Sequence, residues 1–165
     1  MFVLLMYGAL FAVPVWAVAV LVKLISVLLP GRRPDWGRDL LRWCAAMAAT
    51  AAVLVYVIGL GSVQWDANEA ESGANSAPAM PCRSLAPATL DHLAGHEASY
   101  LPLGFDCVLD DGRVIAGTGG YAWLNALTVA FALTAVVLVL AVGFLNESRA
   151  RRDRETSGAA PASSE

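Results

Sequence analysis

The sequence predicts an all-α membrane protein of three transmembrane helices, with a small disulfide-closed α+β extracellular cap between the second and the third. Three observations predict it. Hydrophobic residues make up 58% of the 165-residue chain and charged residues only 15%, against about a quarter charged in soluble domains. The apolar residues are gathered into three blocks, each long enough to cross a bilayer core of about 30 Å. Two cysteines, both histidines and much of the acidic charge fall in the long connection between the second and third blocks, while the arginines cluster elsewhere.

The first block, within residues 1–30, carries Lys23 as its only charge. Residues 2–22 form a span, Lys23 snorkels to the interface, and an interfacial turn ends at Pro30. Pro14 lacks the donor its helical turn requires and kinks the span. A cleaved signal peptide is the competing reading, because Ala17-Val18-Ala19 resembles a cleavage site. No Lys or Arg precedes position 23, and the run stays apolar past that site, so a retained helix is preferred. Trp16, inside this span, is assigned only to packing.

Residues 31–42 form a short basic loop with Arg32, Arg33, Arg38 and Arg42, broken by Pro34 and Gly37. The second span, residues 43–61, is rich in alanine along its inner half. Small residues let helix backbones approach closely in lipid, so Ala45, Ala48, Ala49 and Ala52 are the expected packing face. Residues 62–80 lack a periodic apolar pattern and are predicted to be a flexible external tether.

The third span, residues 121–145, is free of charge. Its Asn125, Thr128 and Thr134 are expected to form hydrogen bonds between helices. The tail, residues 146–165, opens with Arg149, Arg151, Arg152 and Arg154, and its last ten residues are predicted to be disordered. Basic residues near span ends stay in the cytosol. Eight arginines flank the first loop and the tail, against Arg83 and Arg113 in the long connection. The amino terminus and residues 62–120 are therefore placed outside a plasma membrane and the carboxyl terminus inside. Trp36 and Trp43 then mark the inner boundary, and Trp65, Tyr121 and Trp123 the outer one.

The cap, residues 81–120, contains Cys82 and Cys107 on the oxidising side, where they are free to bridge, whereas Cys44 stays a thiol near the cytosolic end of its span. The bridge is structural, since no close Cys-x-x-Cys pair is present. Residues 87–95 are expected to form one helix, capped by Thr89, with Leu90 and Leu93 on one face and Gly95 at its end. Residues 105–109 and 114–116 read as a hairpin across Asp110-Asp111-Gly112, with Phe105, Cys107 and Leu109 on one face. The run Tyr100-Leu101-Pro102-Leu103-Gly104-Phe105-Asp106-Cys107, followed by an Asp-Gly turn and a final span, resembles the external loop of small integral membrane proteins of high-GC actinobacteria. That resemblance implies an external disulfide loop between spans and supplies no catalytic residue.

Four residues apart on the expected helix, His92 and His96 would reach one metal, with Glu97 beside them and an oxygen from Asp91 or Asp106. No Glu follows His92 as in a zinc peptidase motif, and Gly95 ends the helix first, so exposed polar histidines are the plainer reading. No cofactor is otherwise implied. Asp110 and Asp111 are explained by the turn and lack the spaced ligands of a calcium loop. No phosphate loop, serine nucleophile motif or nucleotide fingerprint occurs. The basic face suits anionic lipid headgroups and is not taken for nucleic-acid binding. The expected function is that of a non-enzymatic accessory protein offering its cap to a membrane-protein partner or to a second copy of itself. A metal sensor using His92, His96 and Glu97, and an oligomeric pore packed through residues 45–52, are the alternatives.

Overall fold

The computed structural model describes residues 2–28, 36–72 and 78–158. Three long helices, α1 (Phe2–Leu28), α2 (Trp36–Glu71) and α4 (Tyr121–Gly158), are each long and apolar enough to cross a bilayer. Between α2 and α4 lie a 3-10 turn (Met80–Cys82), a one-turn helix α3 (Pro87–Leu90) and strands β1 (Leu93–Tyr100), β2 (Leu103–Leu109) and β3 (Val114–Ala116). The strands form one antiparallel sheet in the order β1-β2-β3.

Both other long helices pack on α2. Against α1, Gly61 receives Met6 where any Cβ would overlap it, Trp16 Nε1 donates to Met47 O at 3.1 Å, and Lys23 Nζ lies 6.0 Å from the Trp43 ring centroid. The indole N–H of Trp16, which the sequence left to packing, thus finds an acceptor on the neighbouring helix. Helix α1 runs unbroken through Lys23 to Leu28, so the interfacial turn expected after Val22 is not formed by that point. Gly37 lies inside α2 and does not break the loop before it. Residues 29–35 and 159–165, including Pro30, Pro34, two of the loop arginines and most of the tail expected to be disordered, fall outside the described residues.

The expected tether is corrected for residues 62–71: they continue α2 as helix, and residues 73–77 lie outside the described residues. The reason is a stripe of small and apolar side chains. Tyr56, Leu60, Val63, Ala67 and Ala70 recur every three or four residues, the repeat of one helix face, and they pack on Cys82, Leu103, Phe105, Cys107 and Tyr121. The cap has no separate core; it closes over the upper part of α2. At about 1.5 Å per residue, α2 continues roughly 18 Å past Gly59, and this length is what the sheet covers.

The disulfide joins Cys82 to Cys107, both fully buried. On β2, Leu103, Phe105, Cys107 and Leu109 all face inward, as period-two alternation requires. The β2–β3 hairpin turns through residues 110–112, as expected. Gly112 adopts φ 78° and donates its N–H to Leu109 O at 3.0 Å, while Leu109 N–H donates to Arg113 O at 2.9 Å. Gly117 then passes so close to β2 that a Cβ would stand 2.7 Å from Phe105 O.

Helix α3 stops at Leu90, and its N-cap is Ala86 with no side-chain cap bond, so Thr89 does not cap it. Four residues are too few to propagate a helix. The chain from Leu93 instead satisfies the second edge of β2. Leu93 pairs with Leu109 and Gly95 with Val108, which leaves Ala94 as a bulge. The extra residue reverses the alternation, turning His96 inward opposite Cys107 and Glu97 outward opposite Asp106.

Candidate interaction surface

The metal set expected at His92, His96 and Glu97 is not assembled. In a helix residues four apart are about 6 Å apart along the axis, but in extended chain they lie roughly 13 Å apart. His92 precedes β1 and its Nδ1 lies 2.9 Å from Asp110 Oδ2. His96 stacks on Phe105 with ring centroids 5.1 Å apart and planes 9° from parallel. Glu97 is exposed on the opposite face of the sheet. Among the described residues no three His, Cys, Asp or Glu side chains are gathered for a metal ion.

The hydrogen bond and charge of Asp110 raise the pKa of His92 above 6.5. A raised value means that the pair favours the folded cap below pH 6.5, and that this contribution fades as the pH climbs through the folded-state pKa. An NMR titration is expected to place the His92 midpoint above 6.5, with Asp110→Asn bringing it back down. An unchanged midpoint in that variant would show that another group sets it. Asp111, in turn, is held below its ordinary range by the backbone and side-chain hydrogen bonds of Arg113.

Asn125 does not bond to another helix, as the sequence suggested. Its Nδ2 donates to Leu103 O at 2.8 Å and its Oδ1 accepts from Leu103 N at 3.0 Å. The amide thereby reads both backbone groups of one strand residue, as a neighbouring strand would. Thr128 and Thr134 also form no bond between helices; they donate to Leu124 O and Ala130 O within α4, the back-bonding usual for threonine in helices. Of the α2 alanines, Ala45 and Ala52 are buried, Ala48 is half-buried and Ala49 is exposed. Ala45 and Ala49 line an apolar groove of about 380 Å³ with Ala135, Val139 and Val142 of α4.

Leu103 is the centre of the joint between sheet and helices. Its side chain fills the notch at Gly59, where a Cβ would overlap Leu103 Cδ1, and its backbone is held by Asn125 of α4. Beside it, Tyr56 Oη donates to Tyr100 O at 2.9 Å. Tyr121, expected at the outer boundary, is buried against the protein and donates its hydroxyl to Asp66, so tying the start of α4 to the extension of α2. Trp65 and Trp123 remain exposed near this level. Sequence reasoning missed Tyr56, Gly59, Asp66 and Leu103, although the aromatic and glycine residues at one end of the second apolar run were a visible signal.

With its inner face covered by α2, the sheet offers its outer face. Glu97 and Asp106 stand directly opposite each other there, and like charges so placed destabilise a strand pair. Val108 and the exposed Val114 flank them in the same three-stranded register. A cleft of about 560 Å³ between this face and the start of α4 is lined by Ser99, Asp106, Thr118 and Asn125 among others. No family model, curated protein or solved structure matches this chain.

Proposed function

We propose that this chain is a non-enzymatic integral membrane accessory protein, which crosses the plasma membrane three times and holds its sheet rigidly outside for a membrane or extracytoplasmic partner. The observation that carries this reading is the joint at Leu103. A sheet clamped by Gly59, Tyr56 and Asn125 cannot swing on a tether, so its outer face is held at one height and one angle above the lipid. Such preorganisation lowers the entropy lost on binding.

Orientation follows the arginines. Arg38 and Arg42 at one end of α2 lie beside the end of α4 that carries Arg149, Arg151, Arg152 and Arg154; Arg38 Nη1 approaches Asn146 Oδ1 at 3.5 Å. That end faces the cytosol, and the disulfide end faces the oxidising side. The outward pair Glu97 and Asp106 then suits a partner carrying a basic group, which would relieve their mutual repulsion.

A photo-crosslinking residue at Val108, in protein extracted from its own membrane with mild detergent, is expected to capture one partner. Glu97→Gln with Asp106→Asn should reduce that capture while leaving the cap at least as stable. A chain that runs alone as a monomer, with no crosslink from Val108, would remove the proposal. An impermeant amine or thiol reagent that reached the tail of intact cells and missed the cap would reverse the orientation.

A further inference from the structure

The β1–β2 turn lies at the end of the sheet beside the Leu103 joint. Twenty-one residues separate Arg38 from Gly59 on α2, and twenty-one separate Asn125 from Asn146 on α4. The two helices are antiparallel, with Arg38 beside Asn146 at one end and Gly59 and Asn125 both holding Leu103 at the other. Twenty-one helical residues rise about 31 Å, which is the thickness of a bilayer hydrocarbon core. With the Arg38–Asn146 level taken as the inner edge of that core, the Leu103 joint lies at its outer edge, and the turn at residues 100–103 lies there with it.

The side chains of this turn suit that depth. Leu101 is 84% exposed, the most exposed large apolar residue described, and Tyr100 beside it is 40% exposed. In water such a tip gains nothing; in lipid it continues the apolar outer surface of α2 and α4.

The backbone of the turn is prepared for the same surroundings. An unpaired peptide group is costly in lipid, so irregular backbone is tolerated there only when its polar groups are satisfied by protein. Tyr100 O accepts from Tyr56 Oη, Pro102 O accepts from Ser99 Oγ at 2.8 Å, and Leu103 exchanges both its groups with Asn125. Pro102 has no N–H to satisfy. Three side chains from three different elements thus supply partners to Tyr100, Pro102 and Leu103.

We propose that the β1–β2 turn is a membrane-contacting anchor, with Leu101 and Tyr100 immersed among the outer-leaflet lipids at the glycerol level. The ligand is the bilayer itself, recognised through apolar contact and not through a particular headgroup. The anchor adds a fourth attachment to lipid beside the joint that fixes the sheet's angle. Contact of the turn with lipid requires only that the three helices span, and the outer leaflet follows from the proposed orientation, so the anchor can fail without affecting the proposed partner.

The test uses the full chain with Cys44→Ala and the Cys82–Cys107 bridge intact, reconstituted at low protein-to-lipid ratio in phosphatidylcholine vesicles. An environment-sensitive fluorophore is attached at Leu101→Cys or, for comparison, at Arg113→Cys at the far end of the sheet. At position 101 a shallow spin-labelled lipid is expected to quench at least two-fold more than at position 113, with the reverse order for aqueous iodide. Equal iodide quenching at both positions would overturn the proposal. A second measurement needs no substitution. The native chain, photolysed in vesicles whose lipid carries a diazirine near the glycerol, should yield adducts on Tyr100 or Leu101, and adducts confined to the three helices would equally overturn it.

Discussion

Asn125→Leu is expected to release the sheet from α4 and to cost about 2–6 kcal/mol of stability, since it leaves both the N–H and the C=O of a buried strand residue without partners at roughly 1–3 kcal/mol each. The side chain is nearly the same size, so little of the effect comes from lost packing. Thr128→Val is the matched control three residues along the same helix. Thr128 only returns its hydroxyl to Leu124 O, and its loss should change stability by less than about 1 kcal/mol. Unfolding in mixed micelles would compare the two, with protease sensitivity at Arg113 reporting on the sheet. Equal effects would mean that Asn125 is not the clamp. On the proposed function, the variant would keep its three apolar helices and lose the fixed geometry of the sheet's outer face.

Removing the disulfide is expected to be comparably damaging. The bridge closes a loop with a sequence separation of 25, and in the chain-entropy account this removes about 3–4 kcal/mol of freedom from the unfolded state. Both sulfurs are fully buried in the cluster around Phe105 and Val63, so Cys82→Ala with Cys107→Ala also leaves cavity space. The double variant, or wild-type protein treated with an impermeant reductant, should become sensitive to protease at Arg83 and Arg113 while α1 and the inner half of α2 stay protected. Undiminished resistance after complete reduction would show that α2 alone holds the sheet. Because Cys107 and Leu103 share β2, the triple variant with Asn125→Leu should lose less than the sum of the separate losses, as residues in one element couple.

Some of this organisation was readable from particular residues. Phe105, Cys107 and Leu109 alternate and face one way; Gly112 marks the hairpin turn; Cys82 and Cys107 are bridged. Other readings failed at definite points. Leu90 and Leu93 share a helical spacing, but the helix ends at Leu90 because pairing along β2 satisfies more backbone than another helical turn could. His92 and His96 were placed together only by that helix, and parted with it. The stretch from Ser62 reads as a tether because its stripe is one valine, Val63, followed only by the small Ala67 and Ala70 among polar and acidic neighbours, too weak a pattern until the sheet is laid over it.

By itself the sequence determined that three segments are long and apolar enough to cross a bilayer, which end of each carries the arginines, and which two cysteines could meet. These depend on local composition, because transfer of a segment to lipid and retention of positive charge are properties of that segment alone. Only the tertiary structure decided that α2 extends through the cap, that residues 93–100 become a strand, and that Asn125 holds Leu103 and not a helix. Each of those is a choice of hydrogen-bond or packing partner many residues away, and a buried peptide group takes whichever partner the fold brings within reach.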